Sequence, residues 1–202
     1  MTEQNNEAFA DSGTRTALSA ADICYIAVFA AIIAVMAQLS IPMPGGVPMT
    51  LQTLAVPLAA IILGTRRGTA AVIVYLLLGA AGAPVFSGFA GGVGKLFGMT
   101  GGFLFSFPLM AIAAGLGASL TYKAKGNAFV RALPLWMGLM IGAAVNYAVG
   151  TAWFMFAADA DLMYSLSACV FPFIPTAVVK IVLAGLLGPM LRKTLLRAGL
   201  FH

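Results

Sequence analysis

Leu18-Ser-Ala-Ala-Asp-Ile-Cys-Tyr-Ile-Ala-Val-Phe-Ala-Ala-Ile-Ile-Ala-Val-Met-Ala-Gln-Leu-Ser40 decides the class of this chain. One charged side chain, Asp22, stands near its start. The apolar run behind it is long enough to cross a bilayer core as a helix, which takes about 20 residues. Working outward, comparable runs recur at 51–63, 69–83, 103–122, 132–157 and 172–191.

Composition agrees: of 202 residues, 61% are hydrophobic and 8% charged, with a mean hydropathy of +1.01. So few polar side chains cannot cover a soluble globule. The expectation is an all-α, polytopic integral membrane protein with six transmembrane helices, forming a single membrane domain over residues 18–202. Residues 1–17 are polar, lack the basic start and short apolar run of a secretory signal, and are expected to be a disordered tail. Residues 158–171 read as a short helix at the membrane surface. The halves share no repeat, which opposes an inverted-repeat transporter.

Basic residues favour cytoplasmic segments. With the amino terminus inside, the inner segments hold Arg15, Arg66, Arg67, Lys123, Lys125, Arg131, Arg192, Lys193 and Arg197; the outer ones hold Lys95, and Lys180 lies within a span. Both termini are therefore expected to be cytoplasmic. The same bias accounts for the net charge of +5; charges spread over several inner segments make no nucleic-acid-binding patch.

Catalysis has little to work with. The one His is His202, and the acids are Glu3, Glu7, Asp11, Asp22, Asp159 and Asp161, so an apolar interior holds almost no general acid or base. No metal site and no cofactor are expected. Cys24 and Cys169 lack metal-type spacing and read as packed thiols.

The informative polar residues lie inside the apolar runs. Lys180, in Pro172-Phe-Ile-Pro-Thr-Ala-Val-Val-Lys180, is a cation in a span, which costs about 2.5 to 3.5 kcal/mol on insertion scales. Either it snorkels to the outer interface or bonds backbone carbonyls, or it meets an anionic or carbonyl-bearing ligand, with Thr176 one turn away on its face. Asn146, Gly150 and Trp153 form one stripe on the fifth span, near Tyr147. A buried amide must be bonded, so Asn146 and Gln52 are either interhelical glue or site residues; Trp153 alone would anchor the interface. The stretch 84–102 contains seven glycines, too long for a tight turn, and Gly91 and Gly92 would let backbone approach a ligand. Lys95 in that loop reads as solvated. Ala27 with Ala31, and Ala30 with Ala34, suit close helix contact. Without a nucleotide-binding motif or proton-relay acids, uphill movement of a solute would need an energy-supplying partner.

Several longer stretches resemble the BioY family, the biotin-specific substrate-binding (S) components of energy-coupling factor transporters. These are Ile41-Pro42 with Val47-Pro-Met-Thr-Leu-Gln-Thr-Leu-Ala55; Tyr75-Leu-Leu-Leu-Gly79 with Gly82-Ala-Pro-Val-Phe86; Gly98-Met-Thr-Gly-Gly-Phe-Leu104; and Pro172-Phe-Ile-Pro175 with Lys180. The resemblance implies a six-helix bundle in the cell membrane that binds biotin from outside. It also implies partners: a transmembrane coupling protein driven by two cytoplasmic ATPases, docked through an alanine pair of the first helix, Ala27 with Ala31 or Ala30 with Ala34. The family pattern departs at three positions: Asp is usual where Ala177 stands, Pro where Met99 stands and Tyr where Phe103 stands.

Biotin suits such a site, because its carboxylate wants a cation or hydroxyls, its ureido ring wants amides, and its thiophane wants aromatic walls such as Phe86, Phe89, Tyr147 or Trp153. Which end meets Lys180 stays open, as do two other readings: an S component for another vitamin or precursor, and a self-sufficient facilitator or channel.

Overall fold

The computed structural model describes residues 19–124 and 127–199, and it is mostly helical. The tail expected over 1–17 lies outside the described residues. In chain order the elements are α1 (Ala20–Gln38), β1 (Ser40–Ile41), β2 (Met49–Thr50), α2 (Gln52–Leu63), α3 (Thr65–Ala80), α4 (Val93–Leu96), α5 (Gly101–Lys123), α6 (Ala128–Ala158), α7 (Leu162–Cys169), a 3-10 turn (Phe171–Phe173) and α8 (Ile174–Arg197).

Helix α1 begins at a capping box: Ser19 Oγ accepts from the Asp22 amide, and the Asp22 carboxylate accepts from the Ser19 amide, each at 3.1 Å. This satisfies two otherwise orphaned donors at the helix start. Asp22 also pairs with Arg67 Nε of α3 at 2.9 Å, tying the two helices at one end. Asp159 ends α6 in the left-handed region, and Asp161 caps α7 through the Tyr164 amide. The three described acids thus serve helix ends.

Helix α2 occupies the middle of the bundle, packed on α1, α3, α5 and α8, with nearly every side chain buried. The gap at 64–68 between the second and third apolar runs shrinks to a single residue. Gly64, at φ +86°, turns α2 directly into α3, and Gly68 lets α3 lie on α2, since a Cβ there would meet Ala60 Cα at 2.3 Å. Helices α5 and α6 approach just as closely: a Cβ on Gly117 would meet the Pro134 carbonyl oxygen at 2.5 Å. Close backbone approach through small residues is how helices gain van der Waals contact in lipid.

Among the described residues, four stretches are long and apolar enough to cross a membrane: Ala20–Gln38, Gly101–Lys123, Phe129–Ala158 and Leu162–Arg197. The runs expected at 51–63 and 69–83 form α2 and α3, of 12 and 16 residues, short of the roughly 20 a lone crossing needs. Large apolar side chains such as Val35, Leu77, Leu116, Met140, Phe156, Val178 and Leu186 are exposed around the outside. A bundle apolar on both its inner and outer faces is built for lipid.

Two local features were not anticipated. The Pro/Gly stretch after α1 closes a small antiparallel hairpin, with Ser40 opposite Thr50 and Ile41 opposite Met49. The 84–102 segment folds back on itself, with Phe86 bridged to Ala90 and the Gly92 amide bonded to the Gly79 carbonyl at 2.7 Å.

Candidate ligand-binding site

The hairpin, the 84–102 loop and the adjoining ends of α2, α5, α6, α7 and α8 enclose a cavity with about 630 Å³ of empty space. Its aromatic wall is Phe86, Phe103, Phe107, Tyr147 and Phe173. Its polar groups come from Thr50, Gln52, Thr53, Ser87, Thr100 and Asn146, together with two lysines, Lys95 and Lys180.

Lys180 is 8% exposed. Its Nζ donates to the Thr50 carbonyl at 2.6 Å and to Thr53 Oγ1 at 3.1 Å, and among the described residues it has no ion pair. The ammonium is held by uncharged oxygens only, and one of its three N–H donors has no partner among the described residues. The position where the family pattern has Asp is Ala177, which lines a small recess beside Lys180 and Asn146.

Asn146 is 1% exposed. Its Nδ2 donates to Ser106 Oγ at 2.7 Å and to the Phe103 carbonyl at 3.1 Å, while Oδ1 is buried with no partner. The amide nitrogen binds α6 to α5 as interhelical glue, and the amide oxygen is a spare acceptor on a cavity-lining residue. Buried polar atoms normally find partners. Gln52 donates to Tyr75 Oη at 2.6 Å and accepts from Thr50 Oγ1 at 3.1 Å; Tyr75 in turn meets Phe86 edge to face at 5.6 Å between centroids. Gly79 makes room for the Phe86 ring, which a Cβ would strike.

Five of the expected residues therefore line one cavity: Lys180, Asn146, Tyr147, Gln52 and Phe86. The other five stand elsewhere. Trp153 donates from Nε1 to the Gly98 carbonyl at 3.0 Å and packs with Phe97, Phe105 and Phe156, so it clamps the end of the loop onto α6. Phe89 is 73% exposed, its backbone in the left-handed region and its amide donating to Gln38 Oε1 at 2.8 Å. Gly91 brings loop backbone against loop backbone, since a Cβ there would meet the Ala83 carbonyl at 2.4 Å; Gly92 begins α4. Thr176 bonds the Phe173 carbonyl and lines a separate apolar groove on the other side of Lys180.

Lys95, Cys169 and Gln38 are among the residues on or behind the cavity that were not anticipated. Lys95, read as solvated, is half-buried and lines it, because α4 turns the loop inward. Cys169 is a free thiol on the wall, whereas Cys24 is exposed on α1. Gln38 at the end of α1 donates to the carbonyls of Val85 and Phe86, both at 3.1 Å. With its oxygen on the Phe89 amide, one side chain fixes the turn that presents Phe86.

Of the α1 alanines, Ala30 and Ala34 pack into the core beside Ile33 and Val56, while Ala27 and Ala31 are exposed.

The BioY family model matches residues 9–197. This chain belongs to the BioY family. It is 40% identical over 166 residues to the biotin transporter BioY of Thermotoga maritima, covering 82% of this chain and 92% of that one. It is 38% identical over 171 residues to the biotin transporter BioY2 of Lactococcus lactis, covering 84% and 89%. Its fold is similar to the crystal structure of an S-component for biotin from an ECF-type ABC transporter, with a TM-score of 0.75 at 28% identity over 88% of this chain and 95% of the other. The BioY family is a transporter family, and this member carries several helices able to span a membrane.

Proposed function

We propose that this BioY protein is the biotin-capturing membrane component of an ATP-driven vitamin uptake system, and that it catalyses no covalent change. The observation that carries this reading is the cavity itself: two lysines and a spare amide acceptor among aromatic walls, with no carboxylate lining it. That donor and acceptor set calls for a ligand with an anionic group, an acceptor carbonyl and N–H donors around an apolar body. Biotin has all of these.

The ureido ring fits the buried end. Its carbonyl would accept from Lys180 Nζ, and an N–H would donate to Asn146 Oδ1, completing the one unpaired atom there. The carboxylate fits the loop end, where Lys95, Ser87 and Thr100 line the cavity. Between them the thiophane would lie against Phe86, Phe103 and Tyr147.

The proposed membrane arrangement has six crossings with both termini cytoplasmic in the cell membrane, supported by the distribution of basic residues. Helices α2 and α3 are short for lone spans, but α2 is covered by its neighbours, and shortened segments are tolerated where protein rather than lipid surrounds the ends. The similar structure belongs to an ECF-type transporter, so a transmembrane coupling protein and two cytoplasmic ATPases are the proposed partners, with exposed Ala27 and Ala31 as the contact. In proteoliposomes, biotin should accumulate only with the coupling module and ATP. Uptake by the isolated protein without ATP would instead favour a facilitator.

A further inference from the structure

A basic cleft lies at the other end of the bundle from the cavity. Leu63, Gly64 and Thr65 at the α2–α3 turn face Ser119 and Lys123 of α5 and Arg192 of α8 across an open cleft of about 920 Å³, completed by Arg66 and Arg67. On α8, Arg192 is 12 residues from Lys180, roughly 18 Å at 1.5 Å per residue; the cleft is thus remote from the cavity.

The cleft gathers four cations against a single carboxylate. Arg67 is taken by Asp22. Arg192 is held in place, donating to the Ile61 carbonyl at 3.0 Å and lying over the Tyr122 ring at 4.9 Å. Arg66 and Lys123 are exposed and have no ion pair among the described residues. The first turn of α3 opens into the same cleft with no side chain capping it, so its amides are free for an anion.

Position narrows the anion. The apolar runs of α2 and α5 stop here, and α8 turns basic here, which sets the cleft at a membrane–water boundary. Leu116 and Leu120 are exposed on α5 beside Ser119 and Lys123, a surface suited to an acyl chain directly below a headgroup. Basic pockets between spanning helices bind anionic headgroups in this way.

We propose that this cleft is a phosphate-binding site occupied by the headgroup of an anionic phospholipid, with Arg66 and Lys123 as its free cations and Arg192 as its fixed one. A dissolved phosphate shares that chemistry, and the test separates the two. The proposal does not rest on the ligand of the cavity.

The experiment follows the thermal unfolding midpoint of the purified protein in detergent while phosphatidylglycerol, phosphatidylcholine of the same acyl chains, or inorganic phosphate is titrated in. Phosphatidylglycerol should raise the midpoint and phosphatidylcholine should not. The Arg66→Gln/Lys123→Gln variant should need at least tenfold more phosphatidylglycerol for half the effect, whereas Lys193→Gln/Arg197→Gln, which removes the same charge outside the cleft, should stay within twofold of the parent. A shift from inorganic phosphate with the same dependence on Arg66 and Lys123 would support the site and assign it to a soluble anion. Equal effects of the two lipids, or equal losses in the two double variants, would overturn the proposal. Biotin titration of each variant checks folding and should give unchanged affinity.

Discussion

Lys180 on α8 donates from Nζ to the Thr50 carbonyl at 2.6 Å, joining residues 130 apart in the chain. The contact sets a cation from one helix against the hairpin that closes the cavity. Its partners, the Thr50 carbonyl and the Thr53 hydroxyl, are neutral. A ligand carbonyl can take the third N–H of the ammonium, which neither of them uses.

The two lysines are expected to read different parts of the ligand. Wild-type protein should bind biotin at least tenfold more tightly than biotinamide, which has no carboxylate, and Lys95→Ala should bind both about equally. Tenfold corresponds to about 1.4 kcal/mol. Retained discrimination in Lys95→Ala would remove the carboxylate from that end of the cavity.

Asn146→Leu should weaken biotin and biotinamide alike, because it removes the acceptor offered to a ureido N–H and the donor to Ser106 Oγ that ties α6 to α5. Competition binding reads this directly. An Asn146→Leu protein that is folded and binds biotin as tightly as the parent would sink that contact.

Much of the bundle was legible from residue type alone. An unbroken apolar run announces α1, and Lys180, Asn146 and Gln52 stand out because each interrupts such a run at an energetic cost. Other parts depend on contacts between distant segments. Gln38 looks like the polar end of a span until the loop it holds, 47 and 48 residues on, is in place. Lys95 looks solvated until α4 turns it inward. Trp153, on the same stripe as Asn146, is diverted to the Gly98 carbonyl, because Gly101 and Gly102 let the start of α5 lie against it. The hairpin hides in a Pro/Gly stretch whose short strands have no periodicity to detect.

The buried pair of Gln52 and Tyr75 supplies a stability test. Tyr75→Phe leaves the Gln52 amide without its 2.6 Å acceptor, at a cost of about 1 to 3 kcal/mol for an unpaired buried donor. The expected result is a lower unfolding midpoint in detergent, partly recovered when Gln52→Leu is added and both polar partners are gone.

Helix contact gives another. Gly117→Leu would drive side-chain atoms into the Pro134 carbonyl and the Gly138 backbone of α6, and forced overpacking costs about 1 to 3 kcal/mol or more. Reduced yield and a lowered midpoint should follow; on the exposed face of α5, Leu116→Phe should change neither.

On α1, the exposed and buried alanines should separate two functions. Ala27→Leu/Ala31→Leu should leave biotin binding intact and abolish ATP-dependent uptake, since the change meets only the outside of the bundle. Ala30→Leu should lower stability, because Ala30 is packed in the core. Uptake that survives the Ala27/Ala31 change would move the coupling contact elsewhere.

The most direct measurement is calorimetric titration of biotin into the purified protein, with Lys180→Ala alongside. The account predicts stoichiometric, tight binding by the parent and at least a tenfold loss in a variant that still unfolds cooperatively. Equally tight binding by a folded Lys180→Ala protein, or no binding by the parent, would contradict it.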